Sequence, residues 1–225
     1  MRILQTNFHG DHNLGLYGKA CGRFCIIGNF VTEKDFKKLS EILGVKAFRM
    51  TAANTDLSGM FFAFNSNGIV VPKIITEKEM SRLKVLKKEL DVNILELKTK
   101  FTAIGNLILA NDKGAVVSKV FSKIEVNKIK DLLGVEVNHS TIAGMQMVGS
   151  TGIATNKGCL IHRDASEEET KKIEEILKVN VDIGSANFGS PFVGACIIAN
   201  DKGAVIGDST TGPEVNTLME TLNLL

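Results

Sequence analysis

Apolar residues recur at helical spacing in five places along the chain, each time just after a Ser or Thr that is followed three residues later by an acid. This pairing is a capping box, which satisfies free N–H groups where a helix begins. The five boxes are Thr32 to Asp35, Thr76 to Glu79, Ser122 to Glu125, Ser166 to Glu169 and Thr211 to Glu214. Successive caps lie 44, 46, 44 and 45 residues apart. The spacing predicts a tandem unit of about 45 residues with one amphipathic helix in each copy.

Two short apolar runs around a tight turn precede each of the last four caps, which predicts a β-hairpin there. The last turn residue is glycine in these four units, whereas the first unit has Phe24. A second glycine, which we call the ring glycine, lies nine residues before that position in all five units: Gly15, Gly59, Gly105, Gly149 and Gly194. Further short strands are predicted to begin near Val45, Val92, Val135 and Val179. The predicted unit is therefore a strand, a hairpin and a helix.

Counting residues predicts that the five units close into a ring. The fifth helix reaches Leu224 and Leu225 without room for the further strand, and the segment Arg2 to Gln5 stands at the matching distance before Gly15. We therefore expect residues 1–225 to form a single α/β domain, a ring closed by the N-terminal strand, which joins the C-terminal unit. An open array would need polar end caps, and a purely stranded propeller would have no helices. Removing Met1 to about Asn7 is expected to open the ring.

Composition sets limits on the class of protein. Of 225 residues, 44% are hydrophobic and 23% charged, with a net charge of +2, so no global basic field favours DNA and any RNA contact is expected to be local. We find neither a signal peptide nor the roughly 18 consecutive apolar residues of a membrane span. The four cysteines form no C-x-x-C pair. These features predict a cytoplasmic monomer without a membrane partner.

Candidate catalytic and metal-binding groups are few. His9, Asp11 and His12 are ligand-type residues, but we interpret them as a polar loop because nothing nearby completes a metal site. Cys159 and His162 lie three apart in a predicted strand, where their side chains would point to opposite faces, so we interpret the cysteines as buried. The segment Gly207 to Gly212 resembles a phosphate loop without its lysine and is interpreted as a helix cap, with a weak anion site as the alternative. No catalytic residue, metal or cofactor is expected.

The ring glycines admit two explanations that the sequence alone leaves open. Glycine permits close backbone approach, so packing around a narrow axis is a sufficient reason for them. Alternatively, five equivalent loop ends form one composite face for a partner.

Several segments resemble the translation initiation factor 6 family. They are Ala103-Ile104-Gly105-Asn106, Thr155-Asn156-Lys157-Gly158-Cys159-Leu160, Val193-Gly194-Ala195-Cys196-Ile197-Ile198-Ala199-Asn200 and Asp208-Ser209-Thr210-Thr211-Gly212-Pro213-Glu214. The resemblance runs over essentially the whole chain and is strongest after Gly149. Because the chain stops at the fifth helix, it resembles the archaeal form.

The resemblance implies a pentein-type α/β propeller with five-fold pseudosymmetry. It also implies a non-enzymatic function: binding to the intersubunit face of the large ribosomal subunit, which blocks premature association with the small subunit, and a part in large-subunit maturation. The implied partners are a ribosomal protein on the joining face and rRNA near the sarcin-ricin loop. The alternative is a hydrolase that modifies guanidino groups through a cysteine nucleophile, as in other penteins.

In family terms the binding face consists of the loops that enter the inner strands. The matching residues are Asn13, Leu14, Gly15, Ser58, Gly59, Ile104, Gly105, Asn106, Val148, Gly149, Ser150, Val193 and Gly194. Asn106 is the strongest individual candidate because its amide can hydrogen-bond a partner. With a near-neutral net charge, protein contacts should dominate, and binding should depend only weakly on salt.

Overall fold

The computed structural model describes residues 2–225, which form five similar units around a common axis. Each unit holds one three-stranded sheet, one long outer helix and one short helical turn close to the axis. In every sheet the middle strand pairs antiparallel with an inner strand and parallel with an outer strand. The predicted α/β ring of five units is confirmed.

The strands are numbered in chain order and fall into three sets. The inner strands are β2 (Gly18–Ala20), β5 (Ala63–Phe64), β8 (Ile108–Ala110), β11 (Gly152–Ala154) and β14 (Ile197–Ala199). The middle strands are β3 (Phe24–Ile27), β6 (Gly68–Pro72), β9 (Gly114–Ser118), β12 (Cys159–His162) and β15 (Ala204–Gly207). The outer strands are β1 (Ile3–Thr6), β4 (Lys46–Arg49), β7 (Asn93–Leu97), β10 (Glu136–Ser140) and β13 (Val181–Gly184).

The helices form two sets. The long helices are α1 (Glu33–Leu43), α3 (Glu77–Leu90), α5 (Lys123–Leu133), α7 (Glu167–Leu177) and α9 (Gly212–Thr221). The short turns at the axis are the 3-10 turn η1 (Leu14–Leu16) and the α-helical turns α2 (Ser58–Phe61), α4 (Ile104–Leu107), α6 (Val148–Thr151) and α8 (Val193–Cys196). Each axial turn leads directly into the inner strand of its unit.

The fifth unit contains both ends of the described chain. Strand β1 pairs in parallel with β15, in a register that runs from Ile3 opposite Ala204 to Thr6 opposite Gly207. The Arg2 guanidinium also donates to the carbonyl oxygen of Leu225 at 3.1 Å. Met1 lies outside the described residues. The N-terminal strand therefore supplies the outer strand of the fifth unit.

Middle strands are apolar on both faces because each one lies between two cores. Leu160 of β12 packs in the core of the fifth unit with Ile197 and Leu218, whereas Cys159 and Ile161 pack in the core of the fourth unit. All four residues of β12 are buried. A strand covered on both sides reads as a continuous apolar run without polar alternation, as these segments do.

Capping boxes start four of the five long helices, and the first helix differs. At Thr76, Ser122, Ser166 and Thr211 the glutamate returns to the cap backbone N–H. At Thr32 the side chain accepts a hydrogen bond from Asp35 N. The Asp35 carboxylate accepts from the Thr32 hydroxyl at 2.6 Å, and not from the cap N–H. Aspartate is one methylene shorter than glutamate, so the predicted capping box at Thr32 is only half formed.

Asparagines in three of the five hairpin turns join their unit to the next. Asn111 Nδ2 donates to Leu177 O and to Thr155 O, both at 3.0 Å, so one amide caps the last turn of α7 and holds the neighbouring hairpin. Asn65 and Asn200 make the equivalent bonds to Leu133 O and Leu43 O, both at 2.9 Å. These carbonyls have no partner within their own helices, so the turns complete the helix ends of the following units.

Candidate binding face

The five ring glycines form a closed cycle at the axis. A Cβ atom added to Gly59 would overlap the carbonyl oxygen of Gly15, one on Gly105 would overlap that of Gly59, and the same relation returns from Gly15 to Gly194. Each carbonyl therefore contacts the Cα of the next ring glycine, a weak C–H···O geometry repeated around the ring. Glycine is required at the axis because the backbones touch.

Most of the predicted face residues are buried. Eleven of the thirteen are buried and only Asn13 and Asn106 are partly accessible. They lie in helical turns rather than loops: in α2, for example, Phe62 N donates to Ser58 O at 2.9 Å. The buried Ser58 hydroxyl donates to Met50 O at 2.6 Å and so has an internal partner. These residues shape the axial end of the ring, and most of them have little surface to offer a partner.

The accessible residues of the axial turns occupy two other positions. One is the residue two before each ring glycine, and the other is the residue just after it; three residues apart, they share one side of a helical turn. Together they define the axial face: Asn13, Leu16, Leu57, Met60, Ala103, Asn106, Met147, Phe192 and Ala195. Ser150 holds the equivalent place in the fourth unit but is buried. Met147 is 41% exposed and Phe192 36%. Sequence reasoning missed seven of the axial-face residues. Leu57, Ala103, Met147 and Phe192 stand one residue upstream of the positions it selected, and Leu16, Met60 and Ala195 follow the ring glycine.

Tight turns with positive φ precede the axial turns of units one, two, four and five, the first of them at His9 and Gly10. The turns of units two, four and five are bound by a glutamate, and we call these three the rim turns. They are centred on Ala53 and Asn54, on Ala143 and Gly144, and on Asn187 to Gly189, all with positive φ. The capping-box glutamate of each unit binds the N–H groups of its rim turn. Glu169, for instance, accepts from Ala143 N at 2.9 Å and Gly144 N at 3.0 Å.

Burial opposes ionisation of these glutamates, but the N–H and hydroxyl donors outweigh it. The pKa values of Glu79, Glu169 and Glu214 are accordingly held below the usual glutamate value. A left-handed turn of this kind is rigid where a charged acceptor binds both of its N–H groups. In the fifth unit the rim turn presents Phe188, whose 84% exposure is the largest among the exposed large apolar residues of the described chain.

The third unit has no rim turn, and a basic groove takes its place. The segment that enters α4 carries Lys98 and Lys100, and Lys73 of the second unit lines the same groove; all three lysines are exposed. Glu96 and Glu125 lie beside them. Within residues 2–225 none of these lysines forms an ion pair. The Lys100 ammonium lies 5.2 Å from the centroid of the Phe101 ring. The groove therefore combines free cations with an aromatic side chain next to the axial face.

The polar segment His9 to His12 is engaged in internal contacts. His12 Nδ1 contacts the Asp208 carboxylate, and His9 Nε2 hydrogen-bonds Phe30 O at 3.0 Å. Within the described chain no group of three or more His, Cys, Asp or Glu residues is arranged to hold a metal ion. The segment connects the first and fifth units of the ring.

The cysteines are not activated as nucleophiles. Burial raises the pKa of the Cys25, Cys159 and Cys196 thiols and brings that of Cys21 to about 11. Cys159 packs in the core of the fourth unit, while the ring of His162 lies against Phe192 on the other side of the strand. A thiol without access to its thiolate form is unreactive.

Polar groups of the segment Gly207 to Gly212 also bond to other parts of the protein. Asp208 N donates to Thr6 O at 2.9 Å, and Thr210 Oγ1 accepts from Asn187 N at 3.2 Å. Thr211 is the cap of α9. Across residues 2–225, none of the helices is both long and apolar enough for a bilayer crossing.

The five-unit α/β ring with its strand–hairpin–helix repeat places this chain in the pentein class of folds. A model described as the eIF-6 family matches residues 3–221. Proteins named translation initiation factor 6 are 46% identical in Pyrococcus furiosus and 47% identical in Thermococcus kodakarensis, each over the full length of both chains. The factor of Methanococcus maripaludis is 42% identical over 99% of each chain. The chain belongs to the eIF-6 family.

Among solved structures, the chain is similar to the C. jejuni agmatine deiminase. The match covers 72% of this chain and 60% of that one, with a TM-score of 0.42 and 14% sequence identity.

Proposed function

We propose that this protein acts in translation initiation by binding the large ribosomal subunit on its intersubunit face and blocking premature association with the small subunit. The observation that carries the proposal is membership of the eIF-6 family over residues 3–221, together with relatives named translation initiation factor 6. On this proposal the ring is a steric block that also takes part in large-subunit maturation.

The axial face and its surroundings suit a partner made of protein and RNA. On units four and five, Met147, Phe188 and Phe192 expose apolar and aromatic surface, and aromatic residues and Met are enriched where proteins bind proteins. On units two and three, the basic groove offers unpaired lysines beside Phe101, which suits phosphates and a stacked base. We assign the apolar surface of units four and five to a ribosomal protein on the joining face. We assign the basic groove of units two and three to rRNA near the sarcin-ricin loop.

The thirteen residues predicted for the binding face take two roles in this proposal. Asn106 contacts the partner directly through its accessible amide. Asn13 is partly accessible, but its amide already donates to Asp11 Oδ1 at 3.1 Å, so it adds contact surface. The eleven buried residues hold the axial turns at the spacing that the partner recognises. The hydrolase alternative gains no support, because the buried thiols have raised pKa values.

The proposal is tested by sedimentation of the purified protein with isolated large and small subunits, followed by a subunit-joining assay. We expect co-sedimentation with large subunits alone and inhibition of joining. Met147→Glu should weaken binding tenfold or more, roughly 1–2 kcal/mol, by placing a charge in an apolar contact. Val85→Glu is the matched control, since Val85 is 63% exposed on α3 and lies outside the axial face.

Salt dependence separates the protein and RNA contributions. If the three groove lysines make the phosphate contacts, the slope of log affinity against log salt should be no steeper than about −3. Lys98→Gln together with Lys100→Gln should flatten that slope. Absence of large-subunit binding at physiological salt would rule out the proposed function as a whole.

A further inference from the structure

The pseudosymmetry of the ring is broken by one partly buried cation. Four residues after the ring glycine, four units carry an apolar side chain: Ala63, Leu109, Ile153 and Ile198. The first unit carries Lys19 at this place, on inner strand β2. A lysine among four apolar equivalents has to be explained by what surrounds it.

Lys19 lines a small cavity on the axis, beneath the ring of helical turns. The cavity measures about 30 Å³ and is bounded by inner strands and by two ring glycines. Its other lining residues are apolar or glycine, among them Ala63, Phe64, Leu109 and Ile153. The cavity has room for one atom-sized guest, because a water site needs roughly 10–15 Å³.

The Lys19 ammonium has no charged partner in the protein. It crosses the axis and donates to the carbonyl oxygen of Gly105 in α4. No ion pair involving Lys19 exists in residues 2–225, and no carboxylate lines the cavity. Burial lowers its pKa to about 8, so the side chain is still mainly protonated near neutral pH. A cation that faces an apolar cavity is normally paired with a negative group, because apolar surroundings disfavour an isolated charge.

We propose that the axial cavity is a binding site for one small monovalent anion of halide size, held by the Lys19 ammonium. The cation supplies the attraction, and the apolar walls and the volume of the cavity exclude phosphate, sulfate and carboxylic acids. Chloride is the physiological ion of this class. The site is independent of the proposed ribosomal function, since it lies within the ring and uses none of the axial-face residues.

Bromide is the probe that tests the site directly. Crystals of the wild-type protein soaked in sodium bromide should show an anomalous scattering peak on the axis, within hydrogen-bonding distance of Lys19 Nζ. In solution at pH 7, Tm should rise by about 3–5 °C for each tenfold increase of bromide above its dissociation constant, relative to gluconate at equal ionic strength. The rise should disappear at pH 9.5, where Lys19 is neutral; no other lining residue titrates.

Two variants separate the site from general salt effects. Lys19→Met removes the charge and should abolish both the axial peak and the bromide-specific rise in Tm, while leaving a folded ring like the four apolar units. Lys202→Met, which removes an exposed lysine bound to Gly44 O, should retain both. A wild-type crystal without the axial peak would overturn the proposal, and so would a bromide effect on the Tm of Lys19→Met equal to that of the wild type. The role of Lys19 would then be its hydrogen bond to Gly105 O alone.

Discussion

At the scale of single residues, the ring glycines show how backbone contact dictates side-chain identity. Each one meets the carbonyl of its neighbour, so the five positions are coupled around the axis. The sequence pattern located all five glycines but left packing and partner binding open as reasons for them. The structure supplies the packing reason, because no Cβ atom fits. That the surface beside them binds a partner stays a prediction.

Gly105→Ala should destabilise the protein by about 3 kcal/mol in urea unfolding. Alanine favours a helix by up to about 1 kcal/mol, but its Cβ atom would overlap Gly59 O and lie 2.7 Å from Phe62 O. Backbone atoms cannot move aside as side chains can, so the clash outweighs the propensity.

Gly212→Ala is the matched control for this substitution. Gly212 begins α9, and a Cβ atom there would have nothing within 4 Å. We expect no loss, or a gain of up to about 1 kcal/mol, from reduced freedom of the unfolded chain. Equal effects of the two substitutions would mean that the axis tolerates side chains.

At the scale of secondary-structure elements, a single glutamate joins two elements in three of the units. Glu169 accepts from its own cap at Ser166 N and also from Ala143 N, Gly144 N and the Thr141 hydroxyl. In the third unit the Glu125 carboxylate binds no rim turn. It accepts from Ser122, through its N–H at 2.7 Å and its hydroxyl at 2.8 Å, and the Thr99 hydroxyl lies beside it. The capping-box glutamates are equivalent in sequence, but Glu169 joins its helix to a rim turn and Glu125 does not.

Glu169→Gln should lower the free energy of unfolding more than Glu125→Gln does. The amide keeps one acceptor oxygen and presents an NH₂ group to donors that need an acceptor, so about 2–3 kcal/mol should be lost at Glu169 and about 1 kcal/mol at Glu125. Chemical denaturation of the two variants measures the difference. Similar losses would show that the rim turn adds nothing to the cap.

Acid should destabilise the ring through these same carboxylates. Their pKa values are lower in the folded protein than the ordinary 4.5, so the stabilisation is complete above about pH 4.5 and is lost as the pH falls towards the folded-state values. Calorimetry should find a nearly constant Tm above pH 5 and a decline below it. The decline should be shallower in Glu169→Gln, which has one linked carboxylate fewer.

Elements were largely predictable from the sequence because their signals are local. Helix caps, hairpin turns and the β-strands after Val92 or Val135 depend on neighbouring residues. The rim turns and the helical form of the axial turns depend on contacts that the local pattern does not contain. Glu169 reaches a turn more than twenty residues upstream, and the axial turns are fixed by packing against their neighbours around the ring.

At the scale of the whole molecule, the pseudosymmetric ring has an asymmetric end. Apolar surface lies on units four and five, and unpaired lysines lie on units two and three. A net charge of +2 conceals this division, which is why composition predicted only a local RNA contact. The repeat pattern predicted the ring. Residues such as Phe188 and Lys98 depart from the repeat, so their position at the same end of the ring could not be read from it.

Closure through β1 predicts that the chain can be circularly permuted but not shortened. Joining residue 225 to residue 1 by a short linker and opening the chain between Lys73 and Ile74 should preserve all five sheets, because these two residues are exposed between β6 and α3. We expect this permutant to be a monomer that unfolds cooperatively. Circular dichroism and sedimentation velocity measure both properties.

Deleting residues 1–7 should have the opposite result. It removes the partner of β15, including the bonds from Ala204 N to Arg2 O and from Asp208 N to Thr6 O, both 2.9 Å. An uncovered, apolar edge strand favours association with other chains, so the shortened protein should lose cooperative unfolding and sediment as larger species. A shortened monomer with an unchanged Tm would show that four complete units and an open fifth suffice. The ring would then depend on contacts between axial turns rather than on the strand that joins its ends.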